Sequence, residues 1–155
     1  MKQAYFLMGL LVAVAPATHA VDFNKEALKS MQQEGHKIVE ESADARMYRA
    51  GGGFCLGSAG QKLVIKACNN GDQSQKWRMN DSQQLVAHDG RCVGIAAGDA
   101  VLQKCGGAKN QKWSQDGKKR LVNNARQCLQ FLGDTAAGSS VASANCNKTS
   151  RQVWN

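Results

Sequence analysis

Gly57-Ser58-Ala59-Gly60 sets a serine among glycines, which invites comparison with the strained elbow that presents a nucleophilic serine. That elbow requires Gly-x-Ser-x-Gly, and here no residue separates the first glycine from the serine. Candidate bases are scarce. Past residue 20 the only histidines are His36 and His88, and no His-Glu-x-x-His cluster occurs. The six cysteines, Cys55, Cys68, Cys92, Cys105, Cys128 and Cys146, contain no Cys-x-x-Cys pair, which argues against a zinc site. From Gly53 onward there are six Asp and Glu, and they recur at no common spacing, so no carboxylate pair is marked out for glycosidic cleavage. These residue types point to a chain without catalysis, metal or cofactor.

The chemistry that the sequence does mark is recognition and packing. All three tryptophans lie in one context: Gln75-Lys76-Trp77, Gln111-Lys112-Trp113 and Gln152-Val153-Trp154. An indole ring offers a large apolar area with one donor. The glutamine two residues earlier carries donors and an acceptor, so it can tie a loop to neighbouring backbone. We read this motif as architectural, one tryptophan from each of three units meeting in a shared core.

The elements that must position these residues follow from their spacing. Trp77 and Trp113 are 36 residues apart, and Trp113 and Trp154 are 41 apart. Cys55, Cys92 and Cys128 step by 37 and 36, and Cys68, Cys105 and Cys146 by 37 and 41. The pairs Leu85-Val86 and Leu121-Val122 precede the second and third of these steps in the same register. Three units therefore repeat, at about 47–83, 84–119 and 120–155, with a short insertion near Ala136 to Ser140 in the third. Each unit reads as short strands broken by Gly, Asn and Asp clusters, with Leu63 and Ile65, or Ala100 and Leu102, on one face. An all-β domain is expected. Six cysteines allow fifteen pairings. If the units are alike, the pairs that respect the repeat are Cys55–Cys68, Cys92–Cys105 and Cys128–Cys146, each worth about 3 kcal/mol against the unfolded chain.

With the three Gln-x-Trp motifs in register with the cysteines, and Cys55-Leu56, Cys92-Val93 and Cys128-Leu129 opening each unit, residues 47–155 resemble the ricin B-type lectins. The resemblance implies a β-trefoil and a non-enzymatic module that binds sugars, often of galactose type, in up to three equivalent pockets. In that family a sugar-binding unit carries an aspartate two residues after its first cysteine and an aromatic residue two before its second. Here these positions hold Gly57, Gly94 and Gln130, and Lys66, Gln103 and Ala144. The Asn-Gln pair ahead of the tryptophan is whole only at Asn110-Gln111. The middle unit, with Asn110, Gln111 and a carboxylate from Asp89 (or Asp99), is thus the candidate site for a glycan or glycoconjugate.

The leading part is different. Lys2, an apolar run from Ala4 to Ala15, and Ala17-Thr18-His19-Ala20 have the layout of a signal peptide cut after about Ala20, and the run is too short to span a bilayer. That layout and the paired cysteines imply a secreted or periplasmic protein with no transmembrane anchor. Residues 21–46 place Phe23, Ala27, Leu28, Met31, Ile38 and Val39 loosely at helical spacing, with Asp22 or Asn24 as a cap and a break at Gly35 that allows two short helices. Such an extension is similar to that of the trefoil subunits of cytolethal distending toxin, and suggests a partner protein. From Gly53 onward 14 Lys and Arg face six acids, against five and six in residues 21–52. This charge suits acidic glycans or acidic partners. No basic run is interleaved with aromatics, which argues against nucleic acid. The expected function is carbohydrate binding through a divergent site, as the targeting part of a toxin or secreted complex. The alternative is a structural or interaction subunit without sugar binding.

Overall fold

The computed structural model describes residues 24–155. The expected signal segment, Asp22 and Phe23 lie outside them. The chain opens with helix α1 (Lys25–Ala43) and continues through ten short strands. The strands are β1 (Phe54–Ala59), β2 (Lys62–Ala67), β3 (Trp77–Met79), β4 (Leu85–Ala87) and β5 (Cys92–Ala96), then β6 (Asp99–Gln103), β7 (Trp113–Gln115), β8 (Leu121–Asn123), β9 (Gln127–Phe131) and β10 (Val141–Asn145).

Turn chemistry explains why the strands are short. Gly60-Gln61 joins β1 to β2 and Ala97-Gly98 joins β5 to β6, with Gly60 and Gly98 at positive φ, where a glycine carries no Cβ penalty. In the third unit the turn is longer and contains the inserted stretch, so β9 and β10 are joined across residues 132–140. Backbone hydrogen bonds join the three hairpins to one another, two of them at Ile65, whose carbonyl also accepts from Gly138 N (2.7 Å). Leu102 N donates to Gln61 O, Ser143 N to Gly98 O, and Ile65 N to Ser139 O. Around them run the short pairs β3–β4 and β7–β8. The circle closes where Arg49 and Asn155 exchange two backbone hydrogen bonds. This is a β-trefoil with a pseudo-threefold axis, and it leaves little unpaired strand edge.

The core lies on that axis. Leu56, Leu63, Ile65, Leu85, Val93, Leu121 and Leu129 are fully buried, with Trp77, Trp113 and Trp154 among them. Each indole N–H donates to the carbonyl of the residue after its unit's first cysteine: Trp77 to Leu56 (2.9 Å), Trp113 to Val93 (2.9 Å) and Trp154 to Leu129 (3.0 Å). The disulfides are Cys55–Cys68, Cys92–Cys105 and Cys128–Cys146, one within each unit. Three disulfides place the protein in an oxidising compartment of extracellular or periplasmic kind. Among the described residues no helix is long and apolar enough to cross a membrane.

Helix α1 corrects one expectation. It runs unbroken through Gly35, where the sequence pattern allowed two helices. A single glycine costs about 1 kcal/mol relative to alanine but removes no backbone hydrogen bond. Asn24 is the cap: its Oδ1 accepts from Glu26 N (3.1 Å) and Ala27 N (3.3 Å). Leu28 is 47 % and Met31 68 % exposed, so the apolar residues of the first turns face solvent and not the trefoil. The trefoil begins soon after the helix. Arg46 pairs with Trp77 by two backbone bonds of 2.9 Å, and Tyr48 is buried in the core.

Candidate carbohydrate-binding site

The Gln-x-Trp glutamines are buried, and each spans its unit's second cysteine. Gln75 Nε2 donates to Ala67 O (2.9 Å) and its Oε1 accepts from Asn69 N (3.0 Å), on either side of Cys68. Gln111 does the same around Cys105, donating to Lys104 O (3.1 Å) and accepting from Gly106 N (2.6 Å). Gln152 does so around Cys146, with Asn145 O and Asn147 N, both at 2.9 Å. A short 3-10 turn (Gln73–Gln75, Lys109–Gln111 or Ser150–Gln152) delivers each glutamine inward. Glutamine suits this task because one amide offers a donor and an acceptor about one residue apart.

Beside this frame lie the three loci where the family's carboxylate and aromatic ring would stand. In the first unit, a Cβ added at Gly57 would approach Lys66 Cδ to 2.7 Å, so the Lys66 stem covers the glycine. Lys66 Nζ then bonds Asp72 Oδ2 (2.6 Å) and Ser74 Oγ (2.8 Å). The Lys66 ammonium, followed by the Ser74 hydroxyl, holds the Asp72 carboxyl well below the usual carboxylate range. Because the folded-state acid is the stronger one, the pair stabilises the fold above about pH 4 and the contribution drains away as pH falls further. Asp72→Asn is therefore expected to lower Tm at pH 7 and to flatten the loss of Tm on acidification. Thermal unfolding followed by circular dichroism between about pH 7 and pH 2 checks this, and parallel curves for the two proteins would contradict it.

In the middle unit, a methyl group at Gly94 would collide with the Gln103 side-chain amide and touch Gln111 Cγ at 3.0 Å. Gln103 thus fills the space that a carboxylate at position 94 would need. Asn110 is half-buried, and its Nδ2 donates to Ile95 O (2.7 Å). Its Oδ1 carries no hydrogen bond among the described residues and is free to accept one from a hydroxyl. Asp89 sits in the exposed turn between β4 and β5, where Arg91 holds its carboxylate at 2.6 Å. That Arg91 hydrogen bond keeps the Asp89 carboxyl below its ordinary range. Among the described residues no hydrogen bond joins Asp89 to Asn110 or Gln111. Asp99 is exposed at the start of β6, opposite Ala142.

The third unit is closed in another way. Gln130, standing where the aspartate would be, accepts from Gln152 Nε2 at 2.9 Å. Three different side chains, Lys66, Gln103 and Gln130, thus satisfy the three loci from within the chain. Sequence reasoning identified these positions as departures but not as internal fillers, because spacing carries no information on which way a long side chain folds back.

Other chemistry is thinly represented. Ser58 is buried within β1, and His36 and His88 are exposed, on α1 and in a turn. Among the described residues every cysteine is in a disulfide, and no group of three His, Cys, Asp or Glu is gathered for a metal.

Comparisons with known proteins agree with this geometry. Residues 29–113 match the ricin-type β-trefoil lectin domain family. Among solved structures, the agglutinin from Abrus precatorius superposes with a TM-score of 0.64 at 12 % identity, covering 72 % of this chain and 45 % of that one. The β-trefoil lectin of the Vibrio vulnificus hemolysin/cytolysin, with N-acetyl-D-lactosamine bound, gives 0.61 at 19 % identity, covering 72 % of this chain and 92 % of the other. GalNAc-T7, in complex with UDP, GalNAc and Mn2+, gives 0.61 at 19 % identity over 82 % of this chain. The present chain spans only 26 % of GalNAc-T7. At these identities the superpositions show the fold. The family match covers more than half of the chain, and with three disulfide-bonded Gln-x-Trp units closed about one axis, the chain belongs to the ricin-type β-trefoil lectin domain family.

Proposed function

We propose that this protein is an exported, non-catalytic lectin-like module that binds carbohydrate through a divergent site in its middle unit. The observation that carries the reading is the filling of all three loci by Lys66, Gln103 and Gln130 while the Gln-x-Trp frame around them stays intact. A sugar hydroxyl left without a partner costs about 1–3 kcal/mol on burial, so a pocket lacking both carboxylate and ring holds galactose poorly. The middle unit alone keeps the family's Asn-Gln pair. Asn110 offers a free acceptor beside an exposed surface, and Gln111 fixes the loop that presents it. Asp89 contributes shape to the neighbouring turn through Arg91 and not a free carboxylate.

The test is a glycan array probed with the oxidised protein, followed by titration of the best hit. Asn110→Ala is expected to weaken that hit by about tenfold, the worth of one hydrogen bond of about 1.4 kcal/mol, with a modest fall in Tm from the lost bond to Ile95 O and the fold retained. Binding unchanged by Asn110→Ala would remove the middle unit from the reading, and silence across the array would remove sugar binding altogether.

A second reading rests on α1. Leu28 and Met31 are exposed on one amphipathic helix, which fits an arm that docks on a partner protein, such as the catalytic chain of a toxin. Because Arg46 belongs to the trefoil's backbone ladder, a deletion that spares the trefoil stops at Ala43.

A further inference from the structure

A cleft of about 210 Å3 lies between the β7–β8 turn and the loop after Cys146, lined by Lys118, Arg120, Asn147, Lys148, Thr149 and Val153. Its frame is rigid. Asp116 Oδ1 accepts from the backbone of Lys118 and Arg120, both at 2.9 Å, and Arg120 bridges from Asp116 to Asn147 O (2.9 Å). Trp154 N closes the back of the turn on Lys119 O (2.8 Å).

The trefoil's own pseudo-symmetry separates architecture from function at this place. Trp113 N bonds Gln83 O, and Trp77 N bonds Arg46 O, as Trp154 N bonds Lys119 O. The same junction is therefore built three times. Counting from these anchors, Lys118, Arg120 and Lys148 correspond to Ser82, Gln84 and Gly107 at the second junction and to Ala45, Met47 and Gly71 at the first. Gln84 even repeats the structural bond of Arg120, donating to Gly106 O at 2.7 Å. A neutral amide thus makes this bond as well as a guanidinium, and Met47 at the first junction has no donor to make it, so the fold does not require the charge. Arg120 is balanced by Asp116 at 2.6 Å, but Lys118 and Lys148 are exposed and paired with no acidic group among the described residues. Two like charges brought to one cleft repel, which gives the fold nothing and gives an anion a site.

We propose that this cleft binds the acidic group of a saccharide, a carboxylate or a sulfate ester, with the ammonium groups of Lys118 and Lys148 as its counter-charges. Thr149 Oγ1 accepts from Arg151 N (3.4 Å) and retains its proton for a ligand oxygen. Asn147 Oδ1 is taken by Thr149 N (2.9 Å), leaving its Nδ2 as a donor, and Val153 supplies an apolar wall for a sugar face. The volume suits one ring and its acidic substituent rather than a larger ligand. A saccharide is favoured over nucleic acid because no aromatic ring lines the cleft for a base to stack on.

This inference rests on the carbohydrate-binding reading above and deepens it. Isothermal titration of the full oxidised chain with a heparin-derived tetrasaccharide, 3′-sialyllactose and neutral lactose tests both. The tetrasaccharide and sialyllactose arms distinguish sulfate from carboxylate. At least one acidic probe is expected to bind at least about tenfold more tightly than lactose and to weaken as salt is raised, since the charges are exposed. Lys118→Glu with Lys148→Glu is expected to lose about tenfold or more in that affinity, Lys118→Arg with Lys148→Arg to retain it, and Lys62→Glu, outside the cleft, to change it little. Acidic probes that bind the double reversal as well as the native chain would overturn the site. Equal competition by single-stranded DNA or by phosphatidylserine vesicles would overturn the ligand class. Lactose bound with no preference for acid would sink the cleft and leave the carbohydrate reading standing, whereas no saccharide binding at all would sink both.

Discussion

Trp113→Ala is expected to cost the fold about 3–5 kcal/mol, a large part of the stability of a domain this size. The ring is buried at the pseudo-threefold axis, and its indole N–H is the partner of Val93 O at 2.9 Å. Truncation therefore opens a cavity and leaves a buried carbonyl unpaired, two separate penalties. The three disulfides restrain the unfolded chain in both proteins alike, so they do not offset the difference. Trp113→Phe should retain most of the apolar area, lose mainly the hydrogen bond, and fall between the two. Urea unfolding followed by near-ultraviolet circular dichroism measures all three. A Trp113→Ala protein destabilised by less than about 1 kcal/mol but deficient in ligand binding would mean that the ring serves a ligand and not the core.

The second large effect is a gain. Gly94→Asp combined with Gln103→Trp is expected to create galactose binding in the middle unit, from nothing measurable to a Kd of about 1 mM, a binding free energy of about −4 kcal/mol. The reasoning is that the frame is already present. Gln111 spans Cys105 as its counterparts span Cys68 and Cys146, and Asn110 stands next to it with a free acceptor. What obstructs the pocket is the Gln103 side chain over Gly94. Exchanging that amide for a ring removes the obstruction and supplies a stacking face, and the new carboxylate accepts from sugar hydroxyls. Gly94→Asp alone should not suffice, because Gln103 still fills the space. Nuclear magnetic resonance titration with methyl galactoside reads the outcome. A folded double variant that ignores the sugar would show that the pocket was lost through backbone geometry and not through these two side chains.

Features that depend on residues near in sequence are readable from the chain, and those that depend on distant neighbours are not. The repeat and the all-β class were legible because three tryptophans, six cysteines and the leading apolar pairs recur at one period, a property of sequence alone, and the trefoil was implied by the family resemblance that those motifs carry. The helix cap was legible to within two residues, as Asp22 or Asn24, since a cap acts two or three residues along the chain, and the structure shows Asn24. The continuity of α1 through Gly35 was not, because propensity only weights a break and does not impose one.

At the site the division is sharper. That Gly57, Gly94 and Gln130 cannot act as carboxylates was written in their side chains. That Lys66 turns back to Asp72, that Gln103 lies over Gly94, and that Asp89 is taken by Arg91 depended on side-chain rotamers and on neighbours brought in by the hairpins. Lys118 and Lys148, thirty residues apart in sequence, became one cleft only when Trp154 closed on Lys119 and Arg120 reached Asn147. Periodicity and residue type thus determined which units form and what each position can do chemically. Closure about the axis decided which of those groups meet, because a hydrogen bond or an ion pair acts over about 3 Å, a distance that spacing along a chain does not specify.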